Sequence, residues 1–237
     1  MAVRTEPTGG RRAPLTRDAV VAAAIAMADS AGLESLTMRK LGEAVGVEAM
    51  SLYNHVANKE DLVDGMVDAV FAEFFLPVRD SDWIPAMRAR AASMRDILTR
   101  HRWAVGLMES RKHPGPANLR HHDAVLSNLR AAGFSIEMAA HAYSLLDSYI
   151  YGFAQTQMSL PFDNPEEIVA MGEAMLADFP ADLYPGLAEM IAHAMRPGYD
   201  HGREFDYGLD LVLEGIALRA SPAFPSAAPG PAGSHAG

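Results

Sequence analysis

Residues 36–66 read LTMRKLGEAVGVEAMSLYNHVANKEDLVDGM, and the fold turns on that stretch. Thr37 stands where a helix N-cap belongs, and Leu41 and Val45 share the inward face of the short helix it opens. Gly46 closes that helix, because a left-handed C-terminal residue favours glycine. A second short helix is predicted over Glu48 to His55, with Leu52 as its inward anchor. Asn58, followed three residues later by Asp61, resembles a capping box with a shortened acidic partner. It opens a longer helix to about Phe75, striped by Leu62, Met66, Val70 and Phe74 and stopped by Pro77. Two short helices around a glycine turn, then a capped helix, is the layout of a helix-turn-helix, with the motif at about 37–56.

Upstream, a helix is expected from Thr16 to Ala31. Val20, Ala24, Met27 and Ala31 lie on one face, Val21 and Ala28 beside them, and Gly32 ends it. Downstream, helical period continues with no strand-like alternation, so the fold class is all-α. Helices are expected near 83–100, 102–111, 116–132, 135–158, 165–177, 182–195 and 203–220, separated by Pro and Gly breaks. The domain reading is a flexible arm at 1–14, a three-helix DNA-binding head at 15–76 and a helical-bundle domain at 77–220. A Pro-, Ala-, Gly- and Ser-rich tail at 221–237, expected to be disordered, completes it.

Nearly half of the 237 residues are apolar, enough for a real core. Cysteine is absent, which removes disulfides and thiolate chemistry. No apolar run reaches the roughly 20 residues that cross a bilayer, and no apolar segment follows the N-terminal arginines as in a secretory signal. A cytoplasmic protein is expected. The net charge of −10 by itself argues against DNA, but residues 1–60 are balanced, and residues 1–17 hold four Arg against one Glu. Affinity for DNA follows local phosphate neutralisation, so the acidic remainder is compatible with it.

In a helix-turn-helix the second helix enters the major groove with its early side chains on base edges. Here it offers Glu48, Ala49, Met50, Ser51, Tyr53, Asn54 and His55. Ala49 and Met50 suit thymine methyls, Asn54 suits adenine, and Ser51 a base or a phosphate. Arg39, from the preceding helix, is the best candidate for guanine. Thr37, Tyr53, His55 and Lys59 carry polar tips for phosphates, Lys59 beside a helix N-terminus. Taken singly, Arg39 and Lys40 read as a solvated helix face, Tyr53 as a core aromatic and His55 as structural. Around one glycine turn they read together as a contact surface.

At these residues the chain resembles the tetracycline-repressor (TetR) family of bacterial transcriptional regulators. Positions 15–76 carry the resemblance, through LTMRKLGEAVGV and SLYNHVANKEDL. The stretches GFSIEMAAHAYSLLDSYIYG and FDYGLDLVLEGI are similar to its C-terminal domain. The resemblance implies an all-helical dimeric repressor released from a palindromic operator by a small molecule. It also implies that Thr37, Arg39, Ser51, Tyr53, His55 and Lys59 contact DNA. Glu48 departs from the small polar residue often seen there; it would accept from cytosine or favour the helix dipole.

Phe75, Met108 and Val125 fall where tetracycline repressors place polar and magnesium-linked contacts. A thioether is a poor ligand for a hard cation, so no magnesium complex, metal or cofactor is expected. The effector is expected to be small and largely apolar. Its candidate contacts are Phe75, Trp103, Leu107, Met108, Val125, Tyr143, Asp147, Tyr151 and Met158, each with core packing as the plainer role. Asp147 stands apart, since a carboxylate among apolar residues needs a partner: an Arg, a second subunit or a ligand. His121 and His122 are expected on a solvated helix face. The apolar stripes of helices 135–158 and 203–220 suggest a homodimer. The competing reading is a helical-bundle enzyme or small-molecule carrier that retains the head. No GxSxG, HExxH or phosphate loop speaks for it.

Overall fold

The computed structural model describes residues 14–108, 110–162 and 164–221. Among them all regular structure is helical, in ten α-helices: α1 (Arg17–Ala31), α2 (Met38–Val45), α3 (Ala49–Leu52), α4 (Lys59–Glu73), α5 (Trp83–Arg100), α6 (Pro116–Ala131), α7 (Ile136–Ser159), α8 (Pro165–Ala177), α9 (Pro185–Ala194) and α10 (His201–Ala220). Single 3-10 segments lie at Leu33–Ser35 and Arg102–Leu107. The expected arm up to residue 13 and the expected tail from 222 lie outside the described residues. Two compact units form. One holds the chain to Glu73 with Arg100–Arg120, the other Phe74–Thr99 with the chain from His121 onward.

In the first unit, Thr16 and Thr37 cap α1 and α2 by accepting from the backbone N–H of Ala19 and Lys40, each at 3.2 Å. Gly46 takes the left-handed conformation at φ +74. Val20, Ala24, Leu36, Leu41, Leu52, Leu62 and Met66 are almost wholly buried in one core. Each large aliphatic there contributes roughly 1.5–3 kcal/mol of burial. Met27 is only half-buried and Ala31 is exposed, so the buried face of α1 is Val20, Val21, Ala24 and Ala28. Asn58 caps α4 by accepting from Asp61 N–H at 2.9 Å. The Asp61 carboxylate accepts from Ala57 N–H, not Asn58, and takes both arms of Arg17 at 2.9 and 2.7 Å. The reciprocal half of the capping box is thus shifted by one residue, with the carboxylate held toward Ala57 and Arg17.

Three expected helices end early. The helix foreseen over 48–55 is a single turn, with Tyr53, Asn54 and His55 in the turn that follows. The α4 helix stops at Glu73 rather than Phe75. The segment foreseen at 102–111 is 3-10 helix and ends at Leu107, just after Gly106, the poorest helix former it contains.

In the second unit, α5 buries Ala86, Met87, Arg90, Ala91, Met94 and Leu98. The α7 helix buries Ala139, Ala142, Leu146 and Ile150, and α10 buries Phe205, Leu209, Leu213 and Ile216. Tyr149 locks α7 to α10: its hydroxyl donates to Phe205 O at 2.9 Å and its ring stacks on Phe205 at 5.5 Å. A Cβ on Gly208 would fall 2.3 Å from that hydroxyl, so the close approach needs glycine. The α7 stripe that suggested a dimer is therefore filled from within the chain. The exposed apolar residues of α10 are Tyr207, Leu211 and Leu218, spaced along one outer face.

Candidate nucleic-acid interface and effector site

The α2–α3 pair is held rigidly and presents its polar side outward. Gly42 makes the contact possible. A Cβ there would sit 2.8 Å from Val47 O and 3.1 Å from Ala49 N. Leu41 and Leu52 anchor the two helices inward at full burial. Arg39 projects from α2 with its side chain 76 % exposed and is paired with Glu43 by an exposed ion pair at 2.8 Å. Such pairs contribute little, so the guanidinium is free to be recruited. Met50 is 73 % exposed, an apolar side chain with no intramolecular reason to face water. Thr37, Glu48, Tyr53 and Asn54 are also exposed, while Ala49, Ser51 and His55 are half-buried. Nine of the ten expected contacts thus lie on α2, α3 and the turns beside them, and the tenth, Lys59, opens α4.

Besides Thr37, which caps α2, two of these residues have an additional structural duty. The Lys59 ammonium donates to Leu36 O at 2.8 Å, which engages one of its three donors. The His55 carbonyl accepts from Arg17 at 3.1 Å, so Arg17 ties this turn to the Asp61 carboxylate. That ion pair raises the Arg17 pKa and, with the Ala57 N–H, lowers that of Asp61.

The effector candidates divide between the units. Trp103 and Leu107 pack against the head core, and Trp103 Nε1 donates to Asp29 at 2.7 Å. Met108 is buried in the same unit. In the second unit Val125 is fully buried, Tyr143, Tyr151 and Met158 are half-buried, and Phe75 is exposed.

Asp147 has its partner, and the partner is Arg90. The Arg90 side chain is wholly buried, with Nη2 donating to Asp147 Oδ1 at 2.5 Å and Nε donating to His121 Nε2 at 3.1 Å. His121 is therefore buried rather than solvated, a correction with a clear cause. It falls four residues after buried Ala117 and four before buried Val125 on one face of α6. Burial, then the Arg90 charge, pull its pKa down to about 3, so the ring is neutral. The Tyr143 ring lies under the Arg90 guanidinium at 5.5 Å. Burial and Asp147 push its hydroxyl well above the usual phenol range. Arg90 Nη1, Asp147 Oδ2 and the Tyr143 hydroxyl are buried without a well-formed hydrogen bond among the described residues. Each such atom costs about 1–3 kcal/mol when left unsatisfied. Sequence reading missed Arg90, although the signal was present: it occupies the apolar stripe of Met87, Ala91 and Met94 at helical spacing.

Residues 20–66 match the family model described as bacterial regulatory proteins, tetR family, and residues 76–220 match the tetracyclin repressor-like C-terminal domain. The chain belongs to the TetR family. A transcriptional regulator of Saccharopolyspora erythraea is 33 % identical over 92 % of this chain and 91 % of its own length. The transcriptional repressor DrrR1 of Streptomyces coeruleorubidus is 30 % identical over 90 % of this chain and 81 % of its own. Among solved structures, Streptomyces coelicolor ActR in complex with actinorhodin is similar at a TM-score of 0.73 and 27 % identity, covering 88 % of this chain and all of ActR.

As a TetR-family protein the chain is a DNA-binding transcriptional repressor regulated by a ligand. The reading as an enzyme or carrier that retains a head is not favoured, because both halves match regulatory domains. Among the described residues no helix is long and apolar enough to cross a membrane, and no cluster of metal-ligating side chains occurs.

Proposed function

We propose that this TetR-family repressor acts in the cytoplasm as a homodimer, reading a palindromic operator with one α2–α3 pair per half-site. The observation that carries the reading is the exposure of Arg39 and Met50 on a scaffold anchored inward by fully buried Leu41 and Leu52. Arg39 contacts guanine, Met50 and Ala49 meet thymine methyls, Asn54 reads adenine, and Ser51 and Glu48 take neighbouring positions. Thr37, Tyr53, His55 and Lys59 hold phosphates. The outer face of α10, with Tyr207, Leu211 and Leu218, supplies the dimer contact, and exposed Leu145 of α7 adds to it.

The effector is a small, largely apolar molecule received in the second unit, around Val125, Tyr143, Asp147, Tyr151 and Met158 with Phe75 at the edge. Support comes from ActR, whose crystal structure is in complex with actinorhodin. Trp103, Leu107 and Met108 stay with the head. The α6 helix joins the two functions by continuity. Its N-terminus is capped by Asp68 of α4, which accepts from Ala117 and Asn118 N–H at 2.9 Å each, and its later turns carry His121 and Val125.

A gel-shift with DNA flanking the gene tests the DNA reading. Salt-sensitive retention of a fragment, lost in the Arg39→Ala variant, is expected. Retention of no fragment at any salt concentration would refute it.

A further inference from the structure

We propose that Arg90, Asp147 and Tyr143 form the polar end of the effector site and select an uncharged planar molecule with a hydrogen-bond acceptor and donor adjacent on one edge, as in an aromatic lactam. The inference rests on the ligand-regulated reading given above and adds the chemistry of the ligand.

An arginine and a carboxylate ordinarily meet through two parallel hydrogen bonds. Here only Nη2 and Oδ1 are joined, while Nε is drawn to His121. The second donor, Nη1, and the second acceptor, Oδ2, are left open in a buried place. Each is one atom removed from the bonded pair, on the same guanidinium and the same carboxylate. An edge that offers C=O to Nη1 and N–H to Oδ2 serves both, bordered by a Tyr143 hydroxyl that is already drawn toward the Asp147 carboxylate.

Charge narrows the class. The guanidinium and the carboxylate cancel, the buried imidazole of His121 is neutral, and the Tyr143 phenol keeps its proton. An anion would confront Asp147 and a cation would confront Arg90, each without a counter-charge. Shape follows from the rings at the margin. His122 stands 5.1 Å from Tyr143, and Phe74 stands 5.3 Å from His121. Tyr143 is half-buried, so its ring links the buried edge to solvent.

The test uses full-length protein and three probes: 2-quinolone, N-methyl-2-quinolone and quinoline-2-carboxylate. Binding is followed by calorimetry, and operator release by fluorescence anisotropy. The wild type is expected to bind 2-quinolone at least tenfold more tightly than the N-methyl compound, which lacks the donor, or the carboxylate, which is charged. The Arg90→Met/Asp147→Leu variant, which leaves neither charge unpaired, is expected to lose that preference while holding operator DNA normally. Tyr143→Phe, the milder change, is expected to weaken 2-quinolone several-fold with the melting temperature unchanged. Equal binding of the three probes, tighter carboxylate binding, no binding of 2-quinolone, or a preference that survives in the double variant would overturn the inference. Release of operator by an organic extract of the host culture separates the two levels. With release but no lactam preference, only the ligand chemistry is wrong. With no release by extract or probe, the ligand-regulated reading fails and the inference falls with it.

Discussion

Arg39 shows how much one side chain can decide. Among the described residues its partner is Glu43, in an ion pair open to solvent on both sides. Removing it therefore costs the fold almost nothing. A bidentate contact to guanine is worth about 1–3 kcal/mol, so Arg39→Ala is expected to weaken operator binding by roughly five- to 150-fold. The melting temperature should not move, and anisotropy titration beside a thermal scan checks both halves. His121 makes a different prediction. Its folded pKa, about 3, lies below the ordinary 6.5, so between those values the unfolded chain binds a proton that the folded one refuses. Stability from this group is complete above about pH 6.5 and is lost as pH falls toward about 3, by up to roughly 1.4 kcal/mol per unit. Thermal scans across that window should show a smaller slope for His121→Gln than for the wild type. Equal slopes would mean that the ring is already charged in the folded state.

At the scale of elements, the Asp68 cap and the Gly42 contact are the positions where one change should break local structure. Asp68 satisfies two N–H groups at the start of α6 from a different helix. Asp68→Ala is expected to lower stability by about 0.5–2 kcal/mol in denaturant titration, with Asp68→Asn, which keeps the acceptor, closer to the wild type. Gly42→Ala would press a methyl group against the backbone of Val47 and Ala49. It is expected to part α2 from α3, abolishing operator binding and lowering the melting temperature by several degrees. Much of the element scale was legible in the sequence, because caps and glycine turns act locally: Thr37, Gly46 and Asn58 do what their positions implied. What was not legible depended on distance. The partner of Asp147 lies 57 residues away, and the Arg17–Asp61 clamp spans 44. Period and propensity carry no information on such pairs. The shortness of α3 was also hidden, since Tyr53, Asn54 and His55 break no helical rule strongly enough to mark an end.

At the scale of the whole molecule, the proposed homodimer rests on apolar surface that the fold leaves exposed. The inner faces of α7 and α10 are occupied within the chain, and the proposed contact with a second copy is the exposed face of Tyr207, Leu211 and Leu218 on α10. Leu211→Glu would put a charge on that face. Sedimentation should then report a monomer, and operator affinity should fall with it, because each half-site contact alone is weak. The balance of charge points the same way as the head's geometry. Basic residues match acidic ones over the first 60 residues, and the whole −10 resides in the remainder. Phosphate neutralisation is therefore local, from Arg39, Lys40 and Lys59 of the head together with the four arginines of residues 1–17. The most direct measurement is an anisotropy titration of the purified protein against a duplex from its own upstream DNA, repeated over a range of salt and with the Arg39→Ala variant. Tight binding that declines linearly in log salt, and that the variant weakens on this duplex but not on a scrambled one, is the expected result. Equal affinity for both duplexes, or a variant that binds as the wild type does, would contradict the assignment of α2 and α3 as the surface that reads DNA.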